Sequence, residues 1–281
     1  MSVLRNPLIK RLTTRLLGHN YWVRQAGTFR DRELNGMIER PNYAYGMLRA
    51  ADTALYFGKR EVTVCEFGVA TGNGLMNMVQ LSRIITAETG VRFHVYGFDT
   101  GKGLPPPQGP ADHPELWNPG DFAMGDNDAL RAKLNGGAEL VIGDIADTVE
   151  TFTKNLSSSA PLGFVSIDVD IYTGTVSALK ALHGQPEQYL PAISFYFDDV
   201  GSFFNNFRTG ELLAIDEHNA RLPQRVIDRD RSLPGRRPAA AQGWYQHMFV
   251  AHILDHAARM APRPRTTLSL EKHLDLMAAL N

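Results

Sequence analysis

The chain has 281 residues, 43% of them hydrophobic and 21% charged, which fits a globular protein of one large domain or two small ones. Its 29 basic and 30 acidic residues nearly cancel, so no global field argues for a nucleic-acid partner. A single cysteine excludes a disulfide framework and makes a reducing, cytoplasmic location the expectation; no apolar run approaches the about 18 residues of a membrane-spanning helix.

Residues 1–30 carry Arg5, Lys10, Arg11, Arg15, Arg24 and Arg30 with no acid before Asp31, and Leu4, Leu8, Leu12 and Leu16 recur at helical spacing. This pattern predicts a basic amphipathic helix without the apolar core or cleavage site of a secretory signal. Docking or contact with a second copy is its expected role. Residues 1–40 read as this helical arm, 41–260 as the main domain and 261–281 as a helical tail.

Pro41-Asn-Tyr43-Ala-Tyr45-Gly46 leads into an apolar helix that ends near Phe57-Gly58. Val62-Thr-Val-Cys65-Glu66 reads as a buried strand that opens through Gly68, Gly72 and Gly74 into a helix, Leu75 to Glu88. Arg92 to Phe98 is a second strand, closed by Asp99. Six of the sixteen prolines lie between Leu104 and Pro119, which marks a restricted, irregular loop; with His113 and Trp117 it reads equally as a lid or a rigid connection. A helix from Asp126 to Leu134 precedes a third strand, Ala138 to Ile142, which stops at Gly143-Asp144. After a further helix come a fourth strand, Gly163 to Asp168, a helix, Thr175 to Leu182, and a fifth strand, Ala192 to Phe197, closed by Asp198-Asp199. Glu211 to Asn219 reads as a helix, Arg229 to Ala241 as a loop and Trp244 to Ile253 as a late strand. Strands and helices alternating in this way predict a parallel sheet with helices on both faces and ligands beyond the carboxyl ends of the strands.

Glu66, Asp99, Asp144, Asp168 and Asp198 close the five strands in turn and converge on that edge. One strand-end Asp is often only a cap or turn residue; five in series are harder to explain that way. Like charges gathered at one mouth raise one another's pKa values unless a cation or a hydroxyl-rich ligand sits among them. The glycine order is Glu66-x-Gly68-x-x-x-Gly72-x-Gly74, not the G-x-G-x-x-G that sets helix N–H groups against a pyrophosphate. Glycines let the backbone approach a ligand, and the acid offers an acceptor to a cation or hydroxyl. Together they describe a nucleoside-cofactor site, against the alternative of a glycine-rich turn with no ligand. Asp99 is placed for a ribose diol, and Asp144 for an adenine amino group with Ile145 beside the ring. Asp168-Val-Asp170-Ile-Tyr172 with Asp198-Asp199 forms a hard-oxygen set suited to Mg²⁺.

The glycine segment resembles the E/D-x-G-x-x-x-G-x-G motif of class I S-adenosylmethionine-dependent methyltransferases. Glu66-Phe-Gly68-Val, Gly97-Phe-Asp99-Thr-Gly-Lys-Gly-Leu-Pro105, Gly143-Asp144, Ile167 to Tyr172 and Asp198-Asp199 stand in the same order as in the macrocin-type sugar O-methyltransferases. A wider circle of similar bacterial proteins shares Arg40-Pro-x-Tyr43 and Gly210 to Ile215, and the resemblance spans about residues 40–255. It implies a Rossmann-like α/β fold, doubly wound on a mostly parallel seven-stranded sheet, here with an N-terminal helical extension. It implies S-adenosylmethionine held by Glu66, Gly68, Gly72, Gly74, Asp99, Asp144 and Ile145. Asp168, Asp198 and Asp199 become Mg²⁺ ligands, and Asp168 also the candidate base. A catechol-type enzyme would carry a lysine three residues after the first metal aspartate, where this chain has Ile171. The Asp168-to-Asp198 interval is a few residues longer than in the macrocin-type enzymes, through Gly184-Gln-Pro-Glu-Gln188.

The expected activity is Mg²⁺-assisted methyl transfer to a hydroxyl of a sugar-like or other polar small molecule, by a homo-oligomer. A metal-independent methyltransferase and a non-catalytic scaffold on this fold are the alternatives. His218 and His247 are secondary pocket candidates, since a lone histidine is more often structural.

Overall fold

A computed structural model describes residues 19–202, 205–233 and 242–261. Strand β1 (Glu61–Phe67) is buried at every position after Glu61, and β4 (Leu162–Ile167) is buried throughout. Such runs belong to the middle of a parallel sheet covered on both faces. With β2 (Arg92–Asp99), β3 (Glu139–Ile142), β5 (Tyr189–Phe197), β6 (Ile227–Arg229) and β7 (Met248–His252) they form one seven-stranded sheet in the order β3-β2-β1-β4-β5-β7-β6. β1 to β5 pair in parallel, and β7 runs antiparallel to both β5 and β6. The winding direction reverses between β1 and β4, the place where an open α/β sheet leaves a crevice for a ligand.

Side chains alternate across each strand, so β1 feeds two cores. Val62 and Val64 pack with α3 (Pro41–Tyr56), α4 (Asn73–Thr89) and α5 (Asn127–Leu134). Cys65 and Phe67 pack with α6 (Ile145–Asn155), α7 (Tyr172–Leu179) and α8 (Gly210–Arg221) on the opposite face. Helix α3 sits close to the sheet because Gly46 lies on the Phe164 ring, where a Cβ would come within 2.3 Å of Cε2.

Two short helices, α1 (His19–Ala26) and α2 (Phe29–Leu34), precede α3. Asp31, the first acid in the chain, closes a capping box with Thr28 at the start of α2. Trp22, Val23 and Phe29 are buried, so the packed body begins well before residue 41. The leucine repeat at 4–16 and the tail helix lie outside the described residues.

Three differences from the sequence reading have simple causes. Gly243–His247 is a 3₁₀ turn, and only Met248–His252 of the expected late strand is extended. β6 has only three residues, two of them exposed, too short for a periodic signal. α7 starts at Tyr172, not Thr175, because Asp112 caps it from a distant loop. Among the described residues no helix is long and apolar enough to cross a membrane.

Candidate active site

The turn after β1 is held open by packing as much as by backbone freedom. Gly68 has φ +88°, and a Cβ there would lie 1.7 Å from the Asp168 carbonyl oxygen. Its absence lets the ends of β1 and β4 close on each other. Gly72 caps α4 in the left-handed region at φ 85°. Gly74 faces Glu66, and a Cβ would stand 1.9 Å from Glu66 Oε1.

Glu66 is 2% exposed. Its Oε1 accepts a 2.5 Å hydrogen bond from the Tyr43 hydroxyl, which in turn accepts one of 2.9 Å from Ser166 Oγ. Its Oε2 is buried and has no hydrogen-bond partner among the described residues. Burial pushes the carboxyl up to about 7, against the Tyr43 hydrogen bond and the Arg40 charge, which favour ionisation. Tyr43 was not among the candidate site residues, and no strand-end logic would find it. Its signal lay in the Arg40-Pro-x-Tyr43 segment.

Asp99, expected to meet a ribose, is engaged by backbone donors. Its Oδ2 accepts from the backbone N–H groups of Val69 and Ala70 at 2.9 and 2.8 Å, and its Oδ1 from Gly101 N at 2.7 Å. The carboxylate thus stitches the turns after β1 and β2 together. Asp144 caps α6 through Ala146 N at 2.8 Å, and Ile145 is buried beside it. Both residues line the same cavity of about 390 Å³ as Glu66, Gly68, Gly74 and Asp99, whereas Gly72 packs against Leu130.

Asp168, Asp170 and Asp198 line the other side of that cavity. One carboxylate oxygen from each of Asp168, Asp170 and Asp199 falls within 4.8 Å of the others, an arrangement able to hold a cation. Asp198, expected as a ligand, stands outside this triad and accepts from the Tyr196 hydroxyl. Asp198 still acts on the cluster, because its charge is among those that raise Asp168, Asp170 and Asp199. Asp170, turned back by a left-handed φ of 59°, completes the cluster. Burial, then the charges of Asp198, Asp199 and Asp170, push Asp168 up to about 8. Burial and the Asp199 and Asp198 charges push Asp170 up to about 7, and burial raises Asp199 as well. Asp199 Oδ2 is buried and has no hydrogen-bond partner among the described residues. Glu211, from α8, accepts Asp199 N at 2.8 Å through Oε2 and is itself fully buried, which raises its pKa well above the usual range.

The proline-rich loop is pinned rather than free. Asp112, 1% exposed, accepts from Thr173 N at 2.8 Å, Thr173 Oγ1 at 3.0 Å and Gln108 N at 2.7 Å. Leu104 N also donates to Asp121 O, and Gly120 N to Leu104 O, closing the loop at its base. His113 is buried against Glu115, and Trp117 packs edge-on to Phe122, which lines the cavity. His218 bonds the Arg225 carbonyl and His247 that of Phe197, and neither lines the cavity.

No family model and no curated protein sequence matches the chain. Solved structures do. CalS11, described as a calicheamicin methyltransferase, superposes with a TM-score of 0.51 at 18% identity over 88% of this chain and 93% of that one. The O-methyltransferase NovP gives 0.49 at 16% identity over 87% and 98%. A structure described as cmcI-D160 Mg-SAM gives 0.41 at 17% identity over 72% and 69%. At such identities the CalS11 superposition shows the fold, and the chain has the class I methyltransferase fold.

Proposed function

We propose that the chain is an S-adenosylmethionine-dependent O-methyltransferase acting on a hydroxyl of a polar small molecule, with a divalent cation assisting. The observation that carries this reading is one continuous cavity. Glu66, Asp99, Asp144 and Ile145 line one side, and Asp168, Asp170 and Asp198 the other. A cofactor on the first side faces carboxylates on the second across a short gap.

The residues fit both groups. The buried, unpartnered Glu66 Oε2 suits the ammonium of an amino-acid tail, and the absent side chain at Gly74 leaves it room. Ile145 supplies an apolar wall for the adenine, while Asp144 and Asp99 retain lone pairs for its amino group and the ribose. The triad Asp168, Asp170 and Asp199 is the cation set the geometry favours, with Asp198 alongside. Three carboxyls raised together would ionise readily around a cation.

The cofactor supplies an activated methyl on a sulfonium, and a cation supplies acidity to a bound hydroxyl. The chain's own groups align the acceptor and receive its proton. Asp168 lines the cavity and is the candidate base. Burial and its acidic neighbours raise its pKa to about 8 in the absence of a cation. That value would fall with a cation among the three carboxyls, leaving the group ionised to receive a proton. The pinned 104–121 loop forms a preset wall that excludes water. Assembly through the helical side is part of the reading, supported by Tyr21, Tyr56 and Ile84, which are 47%, 65% and 45% exposed there. A reducing, cytoplasmic setting is also part of it, supported by the one buried free cysteine. The pairing of Asp198 with Tyr196 favours a second reading, in which the same transfer proceeds without metal.

Calorimetric titration of S-adenosylhomocysteine with and without Mg²⁺ tests the proposal. Binding in both conditions, with methyl transfer to a hydroxylated acceptor panel abolished by chelator, is expected. Full transfer in excess chelator favours the metal-free reading, and absence of nucleoside binding rejects the function.

A further inference from the structure

The loop beside the cavity puts a phenylalanine where a turn ordinarily carries glycine. Residues 120–123 form a turn closed by Ala123 N donating to the Gly120 carbonyl at 3.3 Å, and Phe122, its third residue, has φ 60°. A bulky residue in that region is an outlier that surrounding structure must enforce, and such outliers cluster at ligand sites. The neighbours do enforce it. Leu104 N donates to the Asp121 carbonyl, and Asp121 Oδ2 accepts from Asn118 N at 2.8 Å. Gly103 lies so close that a Cβ there would come within 2.4 Å of the same carbonyl oxygen. The ring held out by this backbone is 56% exposed, lines the cavity and is braced edge-on by Trp117 at 5.9 Å between centroids. An apolar ring presented at a backbone cost gains nothing from the fold unless something covers it.

Phe122 stands on the acceptor side of the cavity. Asp112 clamps its loop to Thr173 in the first turn of α7, and the charge of Asp121, its chain neighbour, is among those that raise Asp170. Leu104 and Pro105 add apolar surface to the cavity wall. The rest of this side is acidic, with Asp121, Asp168, Asp170 and Asp198. Arg40 is the one basic residue lining the cavity among the described residues, and it stands at the other end, beside the Tyr43 ring that bonds Glu66. A divalent cation in the triad would balance two negative charges and leave this side acidic. A phosphate or carboxylate on the acceptor would therefore sit among like charges, which a partly dry cleft screens poorly.

We propose that Phe122 is the platform on which the acceptor's ring lies, and that the acceptor is a neutral or amine-bearing ring compound, phosphorylated and carboxylated ones being rejected. The inference rests on the methyl-transfer reading above and adds the class of acceptor to it. A ring lying on an aromatic face covers apolar surface on both partners and leaves its edge hydroxyls free. That edge then meets the carboxyls of the acceptor side, where a hydroxyl is a suitable donor and an ammonium a stronger one. An anionic ring brings repulsion there, and the one basic residue stands at the cofactor end. Like-charge contacts of this kind are how a site rejects the wrong ligand without losing affinity for the right one.

The test is calorimetry in the presence of S-adenosylhomocysteine and Mg²⁺, on pyranosides, cyclitols and phenols. Each is supplied as a neutral, an amine-bearing and a carboxylate- or phosphate-bearing member. The tightest ligand should be neutral or amine-bearing, and its anionic counterpart should bind about tenfold more weakly or worse. Phe122→Ala should weaken that ligand about tenfold, the scale of an aromatic contact, and leave S-adenosylhomocysteine affinity unchanged. Phe122→Tyr, which keeps the ring, should retain the affinity. Tightest binding by an anionic member, binding of no member, or unchanged affinity in Phe122→Ala overturns the inference. Weaker S-adenosylhomocysteine binding in Phe122→Ala would assign the ring to the cofactor and overturns it too. Failure of the wild type to bind S-adenosylhomocysteine rejects the methyl-transfer reading itself, an outcome distinct from these.

Discussion

Tyr43→Phe removes one oxygen from the centre of the buried chain Ser166–Tyr43–Glu66 and leaves the ring. The edge-on contacts of that ring with Phe164 and Tyr196, at 5.9 and 5.8 Å between centroids, should survive. Glu66 then loses the partner of Oε1 while Oε2 already has none, and Ser166 Oγ loses its acceptor. A hydrogen bond to an ionised group is worth about 1.5–3 kcal/mol and one to a neutral group about 1 kcal/mol. The cost therefore depends on the charge of Glu66, whose pKa is raised to about 7 by burial. In the wild type the folded state holds this proton more tightly than the unfolded chain. Glu66 accordingly favours folding at low pH, and its contribution falls as pH rises from its ordinary value through about 7. Tyr43 opposes that fall by supporting the carboxylate, so Tyr43→Phe should destabilise more above pH 7 than below it. Urea unfolding on both sides of pH 7 should show a loss of about 2 kcal/mol on the alkaline side and roughly half that on the acid side. Equal losses at both pH values, or none, would refute the assignment of Tyr43 as the support of an ionisable Glu66.

Affinity for S-adenosylhomocysteine should rise with pH toward about 7 and then level, because the ligand's ammonium needs Glu66 ionised; calorimetry in buffers of different ionisation enthalpy should show proton release on the acid side. Asp112→Ala should free the 104–121 loop from α7 and cost about 1–3 kcal/mol, read as faster amide exchange at Gln108 and Thr173, with Asp112→Asn milder because it keeps one acceptor. Protection unchanged in Asp112→Ala would show that the loop is held by other contacts. Deleting residues 1–18, which spares the buried Trp22, Val23 and Phe29, should change the mass seen by light scattering while leaving nucleoside affinity intact. Loss of affinity at unchanged mass would place the arm in the site.

The sequence by itself determined the sheet and its ligand edge. The apolar run Val62–Cys65, the spaced glycines and the acids at the strand ends are periodic or local signals, and such signals survive being read one residue at a time. The packed structure decided what each acid is joined to. Asp99 spends both oxygens on backbone N–H groups of two turns, and Asp170, not Asp198, closes the carboxylate triad. The partners that matter most lie far apart in the chain: Tyr43 and Glu66 are separated by 23 positions, Asp112 and Thr173 by 61, Tyr43 and Ser166 by 123. No periodicity links such pairs. They meet because helix and sheet layers stack, and the buried polar groups brought together by that stacking must find one another or a ligand.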